Sequence, residues 1–312
     1  VTRAFVVGGA GFIGSHLVER LVQRAEVTVY DNFSVGKREF LSGALERGCA
    51  LVQGDALDLA ALECAMAGHD TVYHFAANPE ARWGLENPRL DLEQGTICTW
   101  NVLEAMRRTG AKRLVFASSG TMYGDTAEAC AEGDLGKLPI SLYGASKFAC
   151  EGLISAFVEC FGLSAWIYRF GNVVGPRGTH GAALDFLNKL KVDPEELEVL
   201  GDGRQSKPYV YVDDCVGGVL FGLDHAAERL NIHNIAPADF TSVRRIAELC
   251  IAVSPYPDAR IRYTGGDRGW PGDVPHSRLN AGKLAALGFR VSKSSDQAVE
   301  AAVRALALQV FG

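Results

Sequence analysis

Short apolar runs alternate, through the first half of the chain, with longer stretches in which apolar residues recur every three or four positions. The short runs are residues 4–7, 27–30, 50–52, 71–75, 113–117 and 165–170, and their continuous apolar character predicts buried strands. The amphipathic stretches between them predict helices. Parallel neighbours need crossovers and crossovers are right-handed, so this order predicts a parallel sheet wound in βαβ units.

After Asn172 the alternation loosens. Gly175, Pro176, Gly178 and Gly181 interrupt the pattern ahead of a helix near 182–190 and a turn at Gly201-Asp202-Gly203. A further strand is expected at 231–236, and helices at 242–253 and 295–308. The expected fold is α/β: a doubly wound parallel Rossmann sheet with a smaller, discontinuous α/β substrate-binding region. Residues 1–172, with a return segment at roughly 211–237, make the first domain on this reading; 173–210 and 238–312 make the second.

Composition narrows the possibilities. The 312 residues are 48% hydrophobic and 22% charged, which sets disordered and low-complexity classes aside. Net charge is −6 with no Lys/Arg cluster interleaved with aromatics, so no nucleic acid is expected as a partner. An anionic small molecule must then be held by backbone N–H groups and a few cations. Eight cysteines without a C-x-x-C pair read as reduced thiols of a cytoplasmic protein. The absence of a signal-peptide pattern and of an apolar run near ~20 residues points the same way and predicts no membrane partner. No His/Cys spacing suits a metal.

Gly8-Gly9-Ala10-Gly11-Phe12-Ile13-Gly14 follows the first strand and opens a helix, the context in which a glycine fingerprint binds a dinucleotide pyrophosphate. Asp31, in Tyr30-Asp31-Asn32 at the end of the second strand, is placed to accept hydrogen bonds from the adenosine ribose. It would repel a 2′-phosphate, which favours NAD over NADP. Asp55, followed by Ala56 after the third strand, is placed to reach the adenine amino group. A strand-end Asp and a turn-capping Asp are the plainer readings of these two residues. Tyr143 and Lys147 lie one helical turn apart on a common face, and a lysine ammonium and an oxidised nicotinamide both favour phenolate. Ser119 ends the fifth strand in Ser118-Ser119-Gly120-Thr121-Met122-Tyr123-Gly124.

The glycine loop, Ser119, Tyr143/Lys147 and Arg169-Phe170-Gly171-Asn172 together resemble an extended short-chain dehydrogenase/reductase over nearly the whole chain. Gly201-Asp202-Gly203 and the segment from Gly265 through Arg268 and Asp273 to Pro275 are most similar to nucleotide-sugar 4-epimerases of the UDP-galactose 4-epimerase type. The resemblance implies that Tyr143 removes the proton of the sugar 4-hydroxyl while hydride passes to NAD. Ser119 would hydrogen-bond that hydroxyl and Lys147 would hold the nicotinamide ribose. A 4-keto sugar would turn over in the pocket and receive the hydride on its other face. Phe75, Ala76, Ala77 and Phe170 join the implied NAD site. Asn172 and Lys207 would contact the diphosphate, with Arg268 and Asp273 near the phosphate and uridine ribose. Ser277 would face sugar carbon 2, where its small side chain leaves room for an N-acetyl group. A homodimer is also implied, formed by the helix after Tyr143 and the one covering 96–108.

Three departures stand out. Lys207 replaces the usual arginine and offers a point charge without the bidentate fork. Gln94-Gly95-Thr96 stands where an Asn-Asn-Val run is usual, which puts in doubt the support given to the Lys147 region. Gly171 replaces a larger residue beside the nicotinamide, so that wall is looser or filled from elsewhere. Dehydratases and decarboxylases of the family carry a carboxyl residue after the Ser/Thr; here Gly120 and Thr121 occupy those positions. At carbon 6, Ser118, Thr121, Arg82 and Arg177 could hold a carboxylate, but none places an unambiguous cation on the sugar. The expectation is therefore 4-epimerisation of UDP-glucose/UDP-galactose. The other readings are a UDP-glucuronate/UDP-galacturonate or UDP-N-acetylhexosamine 4-epimerase, an NADH-dependent 4-ketosugar reductase, and a non-catalytic NAD-binding sensor.

Overall fold

A computed structural model describes residues 2–126, 128–134 and 137–312. Six strands of the first half are β1 (Arg3–Val7), β2 (Glu26–Asp31), β3 (Ala50–Gln53), β4 (Thr71–His74), β5 (Arg113–Ser119) and β6 (Ser164–Phe170). With the strand Leu230–Ile235 they form one seven-stranded sheet in the order Leu230–Ile235, β6, β5, β4, β1, β2, β3. β1 pairs parallel with both β2 and β4, β2 with β3, and β4 with β5. Central position explains composition: Ala4, Phe5, Val6 and Val7 of β1 are buried, as a strand covered on both faces requires. β3 departs from expectation. It forms as predicted but lies at the sheet edge with Ala50, Val52 and Gln53 exposed, because it has a neighbour on one side only.

The chain divides into two compact units. The first comprises Val1–Ser119, Leu142–Arg169 and Val219–His233; the second comprises Gly120–Ser141, Phe170–Gly218 and Asn234–Gly312. Residues 120–141, expected within the first region, cluster with the second. Met122, Tyr123 and Cys130 pack there with Ala236 and Leu279, and Cys130 exchanges backbone hydrogen bonds with Arg278 and Asn280. The first unit is built around Phe5, Val72, Val102, Phe116 and Ile154.

The second unit has its own core, in which Phe186, Leu190, Ile246, Val299 and Val303 come from the helices Ala182–Val192, Val243–Val253 and Ser295–Phe311. Ser242 and Ser294 begin the latter two by accepting hydrogen bonds from the backbone N–H of Arg245 and Gln297. Its strands are short pairs: Asn172–Val174 with Tyr209–Tyr211, Glu196–Val199 with Arg260–Tyr263, and Ser206–Lys207 with Thr241–Ser242. Runs this short carry too little period to be read from sequence.

Candidate functional site

β1 runs into the glycine loop. Gly8 has φ +80°, and a Cβ there would collide with the backbone of Phe75 and Ala76, which follow β4. Gly11 starts the helix Phe12–Leu21 with no side chain capping it and no acidic residue in its first turn. A helix N-terminus with no side-chain cap and no acidic residue of its own in the first turn is the arrangement a pyrophosphate needs. Asp31 is 7% exposed; its Oδ2 accepts from Ala10 N at 2.9 Å and its Oδ1 from Phe33 N at 2.8 Å. Burial raises its pKa and the two N–H bonds oppose the rise. Asn32 Nδ2 donates to Asp55 Oδ2 at 3.2 Å, and Leu57 N donates to Asp55 Oδ1 at 2.9 Å. Ala56 O accepts from Asn101 Nδ2 at 2.9 Å. The glycine loop, Asp31, Asn32, Asp55, Ala56 and residues 75–77 thus lie at the carboxyl ends of β1, β2, β3 and β4, where ligands of parallel sheets bind.

Ser119 ends β5, and the helix Leu142–Phe161 carries Tyr143 and Lys147 on one face. The Ser119 and Tyr143 hydroxyls are hydrogen-bonded. Lys147 Nζ donates to Ala117 O at 2.7 Å and sits 5.7 Å from the centroid of the Tyr143 ring. Burial, then the charge of Asp91, pushes the Tyr143 phenol up to about 12 against the Ser119 hydrogen bond. Burial lowers Lys147. Beneath them Arg169 and Glu151 form a buried pair, with Nη2 to Oε2 at 2.7 Å and Nε to Oε1 at 3.0 Å. Ser118 Oγ donates to Glu151 Oε1 at 2.5 Å, so this hydroxyl, expected toward a sugar, is committed to the interior. Where Asn-Asn-Val is absent, Ser146 Oγ donates to Asp91 O at 2.8 Å and lies 3.2 Å from Thr96 Oγ1. A side chain at Gly95 would collide with Ser146 Oγ, so a different tether supports the Lys147 region.

In the second unit the cations expected to meet substrate gather around Asp273. Lys207 Nζ donates to Asp273 Oδ1 at 2.7 Å, Gly269 N to Oδ2 at 3.2 Å, and Arg268 Nη1 to Asp273 O at 3.3 Å. Arg268 also pairs with Asp125 at 2.8 Å. Asn172 N donates to Pro208 O at 2.9 Å. A Cβ on Gly171 would stand 2.7 Å from Pro208 O and 3.3 Å from the Ala236 Cβ, so the space of the missing larger residue is filled by those two. Phe170 is buried at the end of β6, Thr121 lies in the single turn Gly120–Tyr123, and Ser277 O accepts from Arg278 Nη1 at 2.9 Å. Arg177 has φ +63° and its N donates to Gln309 Oε1 at 2.8 Å. In the first unit, Arg82 Nε is 3.7 Å from Glu80 Oε1.

Glu151, Asn78, Asp91 and Asp125 escaped the sequence reading, and Arg169 entered it only as part of a motif, with no role assigned. Only Glu151 carried a signal: it repeats the four-residue spacing of Tyr143 and Lys147 on one helix face.

A model of the NAD dependent epimerase/dehydratase family matches residues 4–236. A UDP-glucose 4-epimerase of Corynebacterium glutamicum is 28% identical over 271 residues, 82% of this chain and 81% of that protein. A UDP-N-acetyl-alpha-D-glucosaminuronate decarboxylase of Bacillus cytotoxicus is 32% identical over 261 residues, 79% of this chain and 78% of that protein. A crystal structure of a UDP-galactose 4-epimerase superposes with a TM-score of 0.88 at 37% identity, covering 99% of this chain and 100% of the other.

Proposed function

The chain belongs to the NAD dependent epimerase/dehydratase family, and from that membership we propose that it interconverts the 4-epimers of a UDP-hexose, UDP-glucose and UDP-galactose first, through a 4-keto intermediate. The observation that carries this reading is Ser119, at the end of a strand of the sheet that presents the glycine loop, hydrogen-bonded to Tyr143 of the helix Leu142–Phe161, with Lys147 against the phenol ring. NAD, when bound, would supply the hydride acceptor, and in its reduced form the hydride donor, for sugar carbon 4. Gly8, Gly11, Phe12, Ile13 and Gly14 would hold its pyrophosphate, Asp31 and Asn32 the adenosine ribose, and Asp55 the adenine. Ala56, Phe75, Ala76, Ala77 and Phe170 would complete that site.

Tyr143 takes the proton of the 4-hydroxyl, and Ser119 hydrogen-bonds the same oxygen and steadies the phenolate. A phenol pushed up to about 12 is a strong base once ionised, and the alkoxide formed when the ketone is reduced is a stronger base still, so it takes the proton back. Lys147 favours that ionisation and holds the nicotinamide ribose. Asn172, Lys207, Arg268 and Asp273 take the nucleotide, with Asp273 ordering both cations.

Two observations support a neutral carbon 6 over a carboxylate. The Ser118 hydroxyl already serves Glu151, and Arg82 lies beside Glu80. Thr121 and Arg177 remain as the donors a hexuronate would use. Gly120 and Thr121 supply no carboxyl acid for dehydration or decarboxylation, which favours epimerisation alone. The small Ser277 leaves volume for UDP-N-acetylhexosamines as secondary substrates. The protein acts as a homodimer through the helices Cys98–Thr109 and Leu142–Phe161, a reading supported by Trp100 and Phe148, which stand 41% and 38% exposed on them. The test is a panel of UDP-sugars analysed by product identity: UDP-glucose and UDP-galactose should interconvert faster than the hexuronates. A hexuronate preference that collapses in Thr121→Val or Arg82→Ala would reverse the ranking.

A further inference from the structure

Asp91 closes the short helix Arg89–Asp91 at the point where the backbone widens into the π turn Leu92–Ile97. It is 2% exposed. Its Oδ1 accepts from Asn78 Nδ2 at 2.9 Å, while its Oδ2 has no hydrogen-bond partner. Gly84 shields that oxygen on one side, where a side chain would collide with it. The backbone oxygen of Asp91 accepts from Ser146, the residue before Lys147, which ties this turn to the helix Leu142–Phe161. A buried carboxylate with an unfilled oxygen is costly unless a cation nearby offsets it.

We propose that Asp91 is a positioning residue for the Tyr143–Lys147 pair, its buried carboxylate serving as the counter-charge that keeps Lys147 an ammonium. The other titratable groups around the pair are neutral or already matched. Glu151, on the same helix, is paired with Arg169, and Glu80 lies beside Arg82 and accepts from its N. His74 of β4 is driven to about 3 by burial and Lys147, and is therefore neutral at working pH. Cys98, on the helix Cys98–Thr109, is pushed up to about 12 and Cys150 is also raised, both by burial, so both are thiols. Asp91 is the remaining anion among these groups without a cation of its own. Burial raises the pKa of Asp91 while the Asn78 hydrogen bond and then Lys147 hold it down, and Asp91, like Glu151, supports the charged form of Lys147 against burial.

Removing a negative charge lowers the proton affinity of every group it faces, whichever member of a coupled pair carries the proton. The assignment rests on the epimerase reading. Both limbs of the kcat/KM profile of the NAD-loaded enzyme should move to lower pH in Asp91→Asn, by about half a pH unit or more. Asp91→Glu should restore them. Asn78→Ala removes a hydrogen bond and leaves the charge, so its limbs should stay in place. A second readout needs no substrate: tyrosinate absorbance of Tyr143, taken as the difference between each protein and its Tyr143→Phe counterpart, should rise at lower pH in Asp91→Asn. If Asp91→Asn does not accumulate as folded, NAD-binding protein, the smaller Asp91→Ser is measured in its place. Unmoved limbs and an unmoved tyrosinate titration, or an equal shift in Asn78→Ala, would overturn the proposal. Failure of the substrate reading would instead appear as no turnover of UDP-sugars by the wild type, leaving the tyrosinate titration to decide.

Discussion

In the proposed reaction Tyr143 is the residue on which the chemistry turns, and its replacement by Phe keeps the ring while deleting the titratable oxygen. Turnover should fall by ~10²-fold or more with NAD binding nearly intact, measured by steady-state kinetics beside a cofactor titration. Asp31 does two jobs, since the oxygens expected to meet the ribose also anchor Ala10 and Phe33. Asp31→Ser should therefore weaken NAD and narrow its advantage over NADP, read from the two dissociation constants. Placement set by neighbours in sequence was legible: the glycine loop between β1 and the helix Phe12–Leu21, Asp31 at the end of β2, and Tyr143 with Lys147 on one helix face follow from local spacing. The pairings of Asp91 with Asn78 and of Arg169 with Glu151 were not, because the partners come from different elements and no local period links them.

At the level of elements, the alternation of apolar runs and amphipathic stretches fixed the helix and strand order of the first unit closely, whereas the exposure of β3 depends on its place in the sheet order. That place is a tertiary fact with no trace in a four-residue run. The paired strands of the second unit were equally invisible, since two or three residues cannot display alternation. The Glu151–Arg169 pair joins the helix Leu142–Phe161 to β6 and, through Ser118, to β5. Glu151→Ala would leave the guanidinium buried without its carboxylate, and should cost about 3–5 kcal/mol of stability as read from urea unfolding. A loss under about 1 kcal/mol would show that water or another group replaces the carboxylate.

For the whole molecule, Trp100 and Phe148 are large apolar side chains left exposed on the helices Cys98–Thr109 and Leu142–Phe161, as are Leu142 and Phe161 at the ends of the latter and Leu92 and Ile97 on the turn before the former. On the proposed dimer a second copy would cover them. Sedimentation at micromolar concentration should give a dimer, and Trp100→Glu with Phe148→Glu a monomer; a monomeric wild type would exclude the interface. The central claim is reversible inversion at carbon 4 with the cofactor regenerated in each cycle. The direct measurement supplies UDP-galactose, or UDP-glucose, to the NAD-loaded enzyme without any reductant and follows the sugar anomeric signals by NMR and NADH absorbance together. The account predicts that both starting sugars converge on one mixture of the two epimers while NADH stays constant and no CO2 is released. Persistence of the starting sugar, or product formed only in proportion to NADH consumed, would contradict it.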